Sequence, residues 1–166
     1  MVLKMKAIRV TKESERAGVH YVRVEAMVLG FSCALNGEFG EDTPESEYIL
    51  VTDDEGRPLS TCRIHLLPEE GFAKIERVAT VSYARGQGAG RLAITAAEEW
   101  IKERGYKKIV ITSRDEAVGF YEKLGYKADY SIDVRALFPP KKKPADDEPK
   151  PKHPKFVVVY TEKILD

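Results

Sequence analysis

Cysteine, histidine and tryptophan are all scarce in this 166-residue sequence, which holds two, three and one of them. Cys33 and Cys62 are too few and too far apart for a disulfide framework or a close-spaced metal set. His20, His65 and His153 are scattered without ligand spacing, so no metal site is expected. Long apolar runs are missing too, and none approaches the ~20 residues that span a bilayer. Neither sign of charge is in surplus: Lys+Arg and Asp+Glu both number 27. No global field therefore draws the chain to nucleic acid or an anionic membrane, and any anion site must be local. No basic-then-apolar leader opens the chain, so a reduced, cytoplasmic protein is the expectation. With 43% hydrophobic residues, the length supports one globular core, read as a single domain over residues 1–166.

What is present is a regular exchange of strand and helix patterns. KMKAIRV (4–10) alternates and stops at Thr11, an expected N-cap for KESERAGVHYVRVEAMVLG, with Glu13, Ser14 and Glu15 in its first turn. Residues 31–46 turn acidic and Gly-rich, as in NGEFGEDTPESE, and read as a loop. YILVTD and PLSTCRIHLL flank the turn Asp54 to Arg57, which predicts a hairpin. AKIERVATV (73–81) reads as a further strand. From about Gly88, Leu92, Ala96 and Trp100 beside Ala93, Ala97 and Ile101 form one apolar helical face, closed by Gly105. KKIVIT (107–112) is a short strand, EAVGFYEKLG a short helix ended by Gly125, and YKADYSIDV an alternating strand. Residues 139–155, PPKKKPADDEPKPKHPK, hold six of the nine prolines and six lysines. They are expected as a solvated loop inserted between two adjacent strands, before the closing strand FVVVYTEKI. The order is β-α-β-β-β-α-β-α-β-β.

One short stretch points to chemistry. ARGQGAGRL (84–92) sets three glycines at alternating positions between two arginines, where a strand gives way to a helix. Free N–H groups of a first helical turn converge there, the macrodipole adds partial positive charge, and glycine lets a phosphate approach the backbone. Arg85 and Arg91 add charge-assisted donors. A P-loop would need a Lys-Ser/Thr end, which is missing. A dinucleotide fold would need glycine where Arg91 stands and an acidic residue closing the next strand, so a nicotinamide-dependent oxidoreductase is disfavoured. A glycine turn that merely seats a helix tightly on its sheet is the plain alternative.

Arg85-Gly86-Gln87-Gly88-Ala89-Gly90 matches Arg/Gln-x-x-Gly-x-Gly/Ala and resembles the coenzyme-A loop of the GNAT N-acetyltransferase superfamily. About thirty residues on, AVGFYEKLGY (117–126) resembles its second signature, FYxxxGF/Y. The element order is similar throughout, and RVEAMV, GEFGEDTPESEY, KIERVATV and FYEKLGY are similar to a small bacterial, ElaA-like branch. The resemblance implies a mixed α/β (α+β) fold, with a mostly antiparallel seven-stranded sheet and helices on both faces. It also implies acetyl-CoA as cosubstrate, with its pantetheine against the backbone of Ala79, Thr80 and Val81. Its pyrophosphate would lie over the amides of Gly86, Gln87, Gly88, Ala89, Gly90 and Arg91, with Arg85, Arg114 and Phe120 nearby. At three places the sequence departs from the family. Arg114 stands where many members have Asn, Glu116 where the branch usually has His, and Leu29-Gly30 where it has Glu-Gln.

Such an enzyme moves acetyl directly to a primary amine, borne by a small molecule or peptide, without a covalent enzyme intermediate. It needs an oxyanion donor, an acid for the departing thiolate and a base for the amine. Val81 N–H is the candidate donor and Tyr121 the candidate acid. Glu76 is the candidate base if a cleft raises its pKa, with strict alternation grouping it with Lys74, Val78 and Thr80. Arg63 and Arg77, on adjacent strands, are candidates to hold a substrate carboxylate or to form surface ion pairs. Glu25, Glu38, Glu41, Asp42, Glu45 and Glu47 form a candidate acidic lip for a cationic amine. A homodimer is compatible with the resemblance. A non-catalytic acyl-CoA sensor of the same fold is the alternative function.

Overall fold

The computed structural model describes residues 4–139 and 157–166. Within them run strands β1 (Met5–Arg9), β2 (Glu47–Asp53), β3 (Pro58–Leu67), β4 (Phe72–Thr80), β5 (Lys108–Arg114), β6 (Lys127–Asp129) and β7 (Val158–Ile164). The helices are α1 (Glu13–Arg23), α2 (Leu35–Phe39), α3 (Ala89–Glu103), α4 (Val118–Lys123) and α5 (Val134–Leu137). One sheet in the order β1-β2-β3-β4-β5-β7-β6 joins all seven strands. Every neighbouring pair is antiparallel except β4 with β5. No helix among the described residues is long and apolar enough to cross a membrane.

The central strands are buried along most of their length, as strands covered on both faces must be. On one face Gly18 of α1 comes so close to Leu50 that an added Cβ would lie 3.0 Å from it. On the other, α3 presents Ala89, Ala93, Ile94, Ala97 and Ile101, and Cys62 reaches the Ala93 carbonyl with its sulfur at 3.7 Å. Burial pushes the Cys62 thiol up to about 12, so it is an inert core residue.

Three sequence expectations change. Lys12, not Thr11, is the N-cap of α1. Glu15 reaches back to accept the Thr11 and Lys12 N–H groups at 3.0 Å each. The helix then loosens into a π-helical stretch, Val24–Leu29, and the acidic segment contains α2 instead of loop alone. Most of YKADYSIDV is not strand beyond Asp129. Asp129 captures the Ser131 N–H at 3.0 Å, and Asp133 captures those of Arg135 and Ala136 at 3.0 and 3.3 Å. Such side-chain acceptors draw backbone donors away from a ladder and start a helix instead. β6 and β7 are indeed paired neighbours, while nearly all of the 139–155 insertion lies outside the described residues.

Candidate active site

β4 and β5 pair only at Ala73 with Ile109 and Lys74 with Val110, although both strands continue. Beyond that point they diverge and leave a wedge. A bulge in β4 shapes one wall. Arg63 pairs with Glu76 and Thr61 with Ala79, so two residue steps on β3 are matched by three on β4. Within the extra step Arg77 has φ +52°, a left-handed conformation that costs a non-glycine residue about 1–3 kcal/mol. The bulge puts Glu76 on the same face as Ala79, and the alternation that grouped Glu76 with Val78 and Thr80 is corrected.

Val81 N–H donates to the Leu59 carbonyl at 2.9 Å. An antiparallel ladder alternates, so Ala79 and Val81 point their backbone groups at β3 while Val78 and Thr80 point theirs into the wedge. Val81 is fully buried and its amide is engaged, which removes it as the oxyanion donor. The same count leaves Val78 N–H as the inward donor.

At the mouth of the wedge the chain turns through Gly86 (φ +75°) and Gly88 (φ +89°). Gly88 is the N-cap of α3, and Leu92 is the first residue to close an intrahelical bond, to Gly88 at 3.0 Å. The amides of Ala89, Gly90 and Arg91 are therefore left as donors. A cavity of about 420 Å³ fills the wedge. Of the predicted coenzyme residues, Ala79, Thr80, Arg85, Gly86, Gly88 to Arg91, Arg114, Phe120 and Tyr121 line it. Val81 and Gln87 do not: Val81 is fully buried, and the Gln87 amide nitrogen donates to the Tyr83 carbonyl at 3.3 Å and braces the turn. A Cβ on Gly90 would lie 3.4 Å from Thr80 Oγ1 and 3.5 Å from Phe120 Cζ, so the glycine keeps a slot open that a side chain would narrow. A slot with inward backbone groups, leading to free amides and two arginines, fits an acyl-pantetheine with a pyrophosphate tail.

Tyr121 is 7% exposed, with its ring edge-on to Phe120 and Tyr126 at 5.1 and 6.1 Å. Its hydroxyl has no hydrogen-bond partner among the described residues, and burial drives its pKa well above the ordinary tyrosine value. It keeps its proton at neutral pH and can act as a donor. Phe120, 39% exposed, lines the cavity and is not a core residue. The Arg114 guanidinium lies 4.5 Å over the Phe31 ring and 3.2 Å from Glu116. Ala84 lines the cavity too, and Ala26, Met27, Phe31 and Val78 complete the lining. Sequence reasoning missed them because the π-helical stretch and the bulge break the two periods it relies on.

Glu76 is outside the cavity lining. It accepts from Arg63 at 3.2 Å and faces His65 Nδ1 at 3.0 Å. Burial alone would raise its pKa, but Lys74, Arg63 and His65 outweigh that and hold it below the usual carboxylate range. The expectation of a raised-pKa base is therefore corrected. Arg63 also bonds Asp42 at 2.6 Å, Arg23 bonds Glu38 at 2.9 Å and Asp42 at 2.6 Å, and Arg77 bonds Glu38 at 3.2 Å. Arg63 is thus an internal tie and not a carboxylate clamp. The acidic lip dissolves in the same way: Glu38 and Asp42 face inward, and Glu47 pairs with Arg104 at 2.7 Å. Glu25 accepts the Ser82 N–H at 3.1 Å, while Glu41 and Glu45 remain exposed.

The site is thus a mostly antiparallel sheet, parallel only where β4 meets β5 and opened between those two strands, with a glycine-rich helix start at the opening. The family model described as "Acetyltransferase (GNAT) family" matches residues 16–126, and the chain belongs to that family of N-acetyltransferases. The uncharacterized N-acetyltransferase YjcF of Bacillus subtilis is 30% identical over 123 residues, covering 74% of this chain and 86% of its own. A solved structure from Lactobacillus plantarum, provisionally named an N-acetyltransferase, matches with a TM-score of 0.75 at 28% identity, covering 98% of this chain and 99% of that one. Escherichia coli ElaA shares the fold, with a TM-score of 0.66 at 16% identity over 97% of this chain and 99% of its own.

Proposed function

We propose that the chain transfers an acetyl group from acetyl-CoA directly to the nitrogen of a primary amine. The observation that carries this is the wedge itself: inward backbone at Val78 and Thr80, the free amides of α3 at one end, and a protonated Tyr121 on the opposite wall. In this reading Ala89 to Arg91, Arg85 and Arg91 take the pyrophosphate, and the Thr80 backbone pairs with pantetheine as a neighbouring strand would. Val78 N–H donates to the thioester carbonyl oxygen, whose negative charge grows as the amine attacks. The N–C bond forms, the C–S bond breaks, and the Tyr121 hydroxyl gives its proton to the departing sulfur. Among the described lining residues there is no carboxylate or imidazole, so the amine loses its proton to water rather than to a protein base.

Calorimetric titration with acetyl-CoA, free CoA and NADP tests the first half. Micromolar binding of the two CoA species, without NADP binding, is expected. A panel of primary amines then tests transfer through release of the CoA thiol. No heat with either CoA species would overturn the reading. The displacement of Glu76 from the cavity favours one rival, an acyl-CoA sensor. That rival predicts binding with no thiol release from any amine.

A further inference from the structure

Nothing in an arginine side chain favours the φ of +52° found at residue 77. The conformation has an external support. Arg77 Nη1 donates to Glu38 Oε2 at 3.2 Å. Glu38 is 2% exposed although it is a carboxylate on a five-residue helix. Its other oxygen accepts from Arg23 Nε at 2.9 Å, and Arg23 Nη2 donates to the Glu38 backbone carbonyl at 2.8 Å. Arg23 is itself fully buried and is fixed further by Asp42, with contacts at 2.6 and 2.9 Å. The carboxylate is thus an immobile anchor, and the residue it holds from outside the sheet is the one that carries the backbone strain of β4.

We propose that Glu38 is a positioning residue for acyl transfer: from α2 it holds Arg77 left-handed, and so fixes the bulge that turns the Val78 N–H into the wedge. The inference rests on the reading of Val78 as donor to the thioester carbonyl. A glycine at position 77 would take this conformation unaided. With arginine there, the inward amide depends on α2 being docked, so the α1–α2 segment, whose Ala26, Met27 and Phe31 line the cavity, and the donor for the carbonyl are ordered together.

Arg77→Gly and Arg77→Ala separate the two roles of the side chain. Both remove the guanidinium and leave the Arg23–Glu38 pair in place, but only glycine adopts a positive φ without strain. In isotope-labelled protein, the Val78 amide resonance is expected to shift on saturation with acetyl-CoA in the parent and in Arg77→Gly, and not in Arg77→Ala or Glu38→Gln. Turnover should follow: Arg77→Gly within about threefold of the parent, Arg77→Ala and Glu38→Gln lower by about tenfold or more. Free CoA should bind all of them within about twofold, and Glu38→Gln should cost nothing further in the Arg77→Gly background. Equal losses in Arg77→Gly and Arg77→Ala would overturn the proposal, as would an undiminished cost of Glu38→Gln in the glycine background. If Glu38→Gln fails to fold, the Arg77 pair decides alone. A parent amide that does not respond to acetyl-CoA overturns this inference and the Val78 reading together. The expected resonance pattern without turnover on any amine supports the clamp and refutes transfer alone.

Discussion

Gly90→Ala should make the protein more stable and a poorer coenzyme binder at once. Gly90 lies in the first turn of α3, where exchanging glycine for alanine reduces the freedom of the unfolded chain and is worth up to about 0.5–1 kcal/mol. The added methyl would meet Thr80 Oγ1 at 3.4 Å and Phe120 Cζ at 3.5 Å, ordinary contact distances that demand no rearrangement. That same fit is what closes the slot. Carbon atoms need about 3.5–4.0 Å on each side, so a ligand chain passing between Thr80 and Phe120 would have to displace one wall. A ten- to hundredfold loss of affinity follows, about 1.4–2.8 kcal/mol. Urea unfolding without ligand measures the first effect, and calorimetry with free CoA the second, with no need for a known acceptor. A variant that binds CoA within about twofold of the parent would show that the coenzyme does not pass this glycine and would refute the assignment of the wedge.

Three further outcomes follow from the described contacts. Burial would push the Asp42 carboxyl up, but Arg23, Tyr48 and Arg63 hold it at about 2 against an ordinary 3.8. A depressed carboxyl contributes stability above its unfolded value and loses it as pH falls through the folded one. Asp42→Asn should therefore be about 2 kcal/mol less stable at neutral pH, the gap closing between pH ~4 and ~2 in urea titrations; a gap constant with pH would refute this. Tyr121→Phe should lower turnover about a hundredfold, with CoA affinity little changed, and unaltered turnover would remove it as the acid. Glu76→Gln should destabilise by about 1–3 kcal/mol through its buried partners yet leave the pH–rate profile in place. Loss of an acid limb in that profile would restore Glu76 as a base.

The glycine turn and helix start were legible because all their groups fall within the seven consecutive residues from Arg85 to Arg91, where turn chemistry and helix-start electrostatics are local. The strands β2 to β5, the β2–β3 hairpin and the amphipathic α3 were legible for a similar reason, since their periods repeat along the chain. The bulge was not. Bulges announce themselves through glycine, and position 77 is arginine, whose left-handed conformation comes from a contact 39 residues away in sequence. Strict alternation therefore grouped Glu76 with Val78 and Thr80, when the bulge sets it on the face of Ala79. The ionic cluster of Arg23, Glu38, Asp42, Arg63, Glu76 and Arg77 was equally hidden. It is assembled from α1, α2, β3 and β4, and its burial rests on charge pairing that apolar periodicity does not register. That is why α2, seated by Glu38, read as a solvated loop.

The place of β7 between β5 and β6 bears on how this protein is made. β5 can form only its short parallel contact with β4 until residues 158–164 have been synthesised. Until then its ladder from Lys108 to Arg114 has no antiparallel partner. α4, which carries Tyr121, packs on β6 and β7, and Lys163 Nζ holds the Leu124 carbonyl just past α4 at 2.7 Å. One wall of the wedge is therefore completed by β7, which emerges after β5 and β6 and is threaded between them. A nascent or truncated chain lacking it would have the glycine loop and no tyrosine in position. Among the described strands, β5 with β7 is one of the pairings most distant in sequence, and such pairings lengthen the folding search.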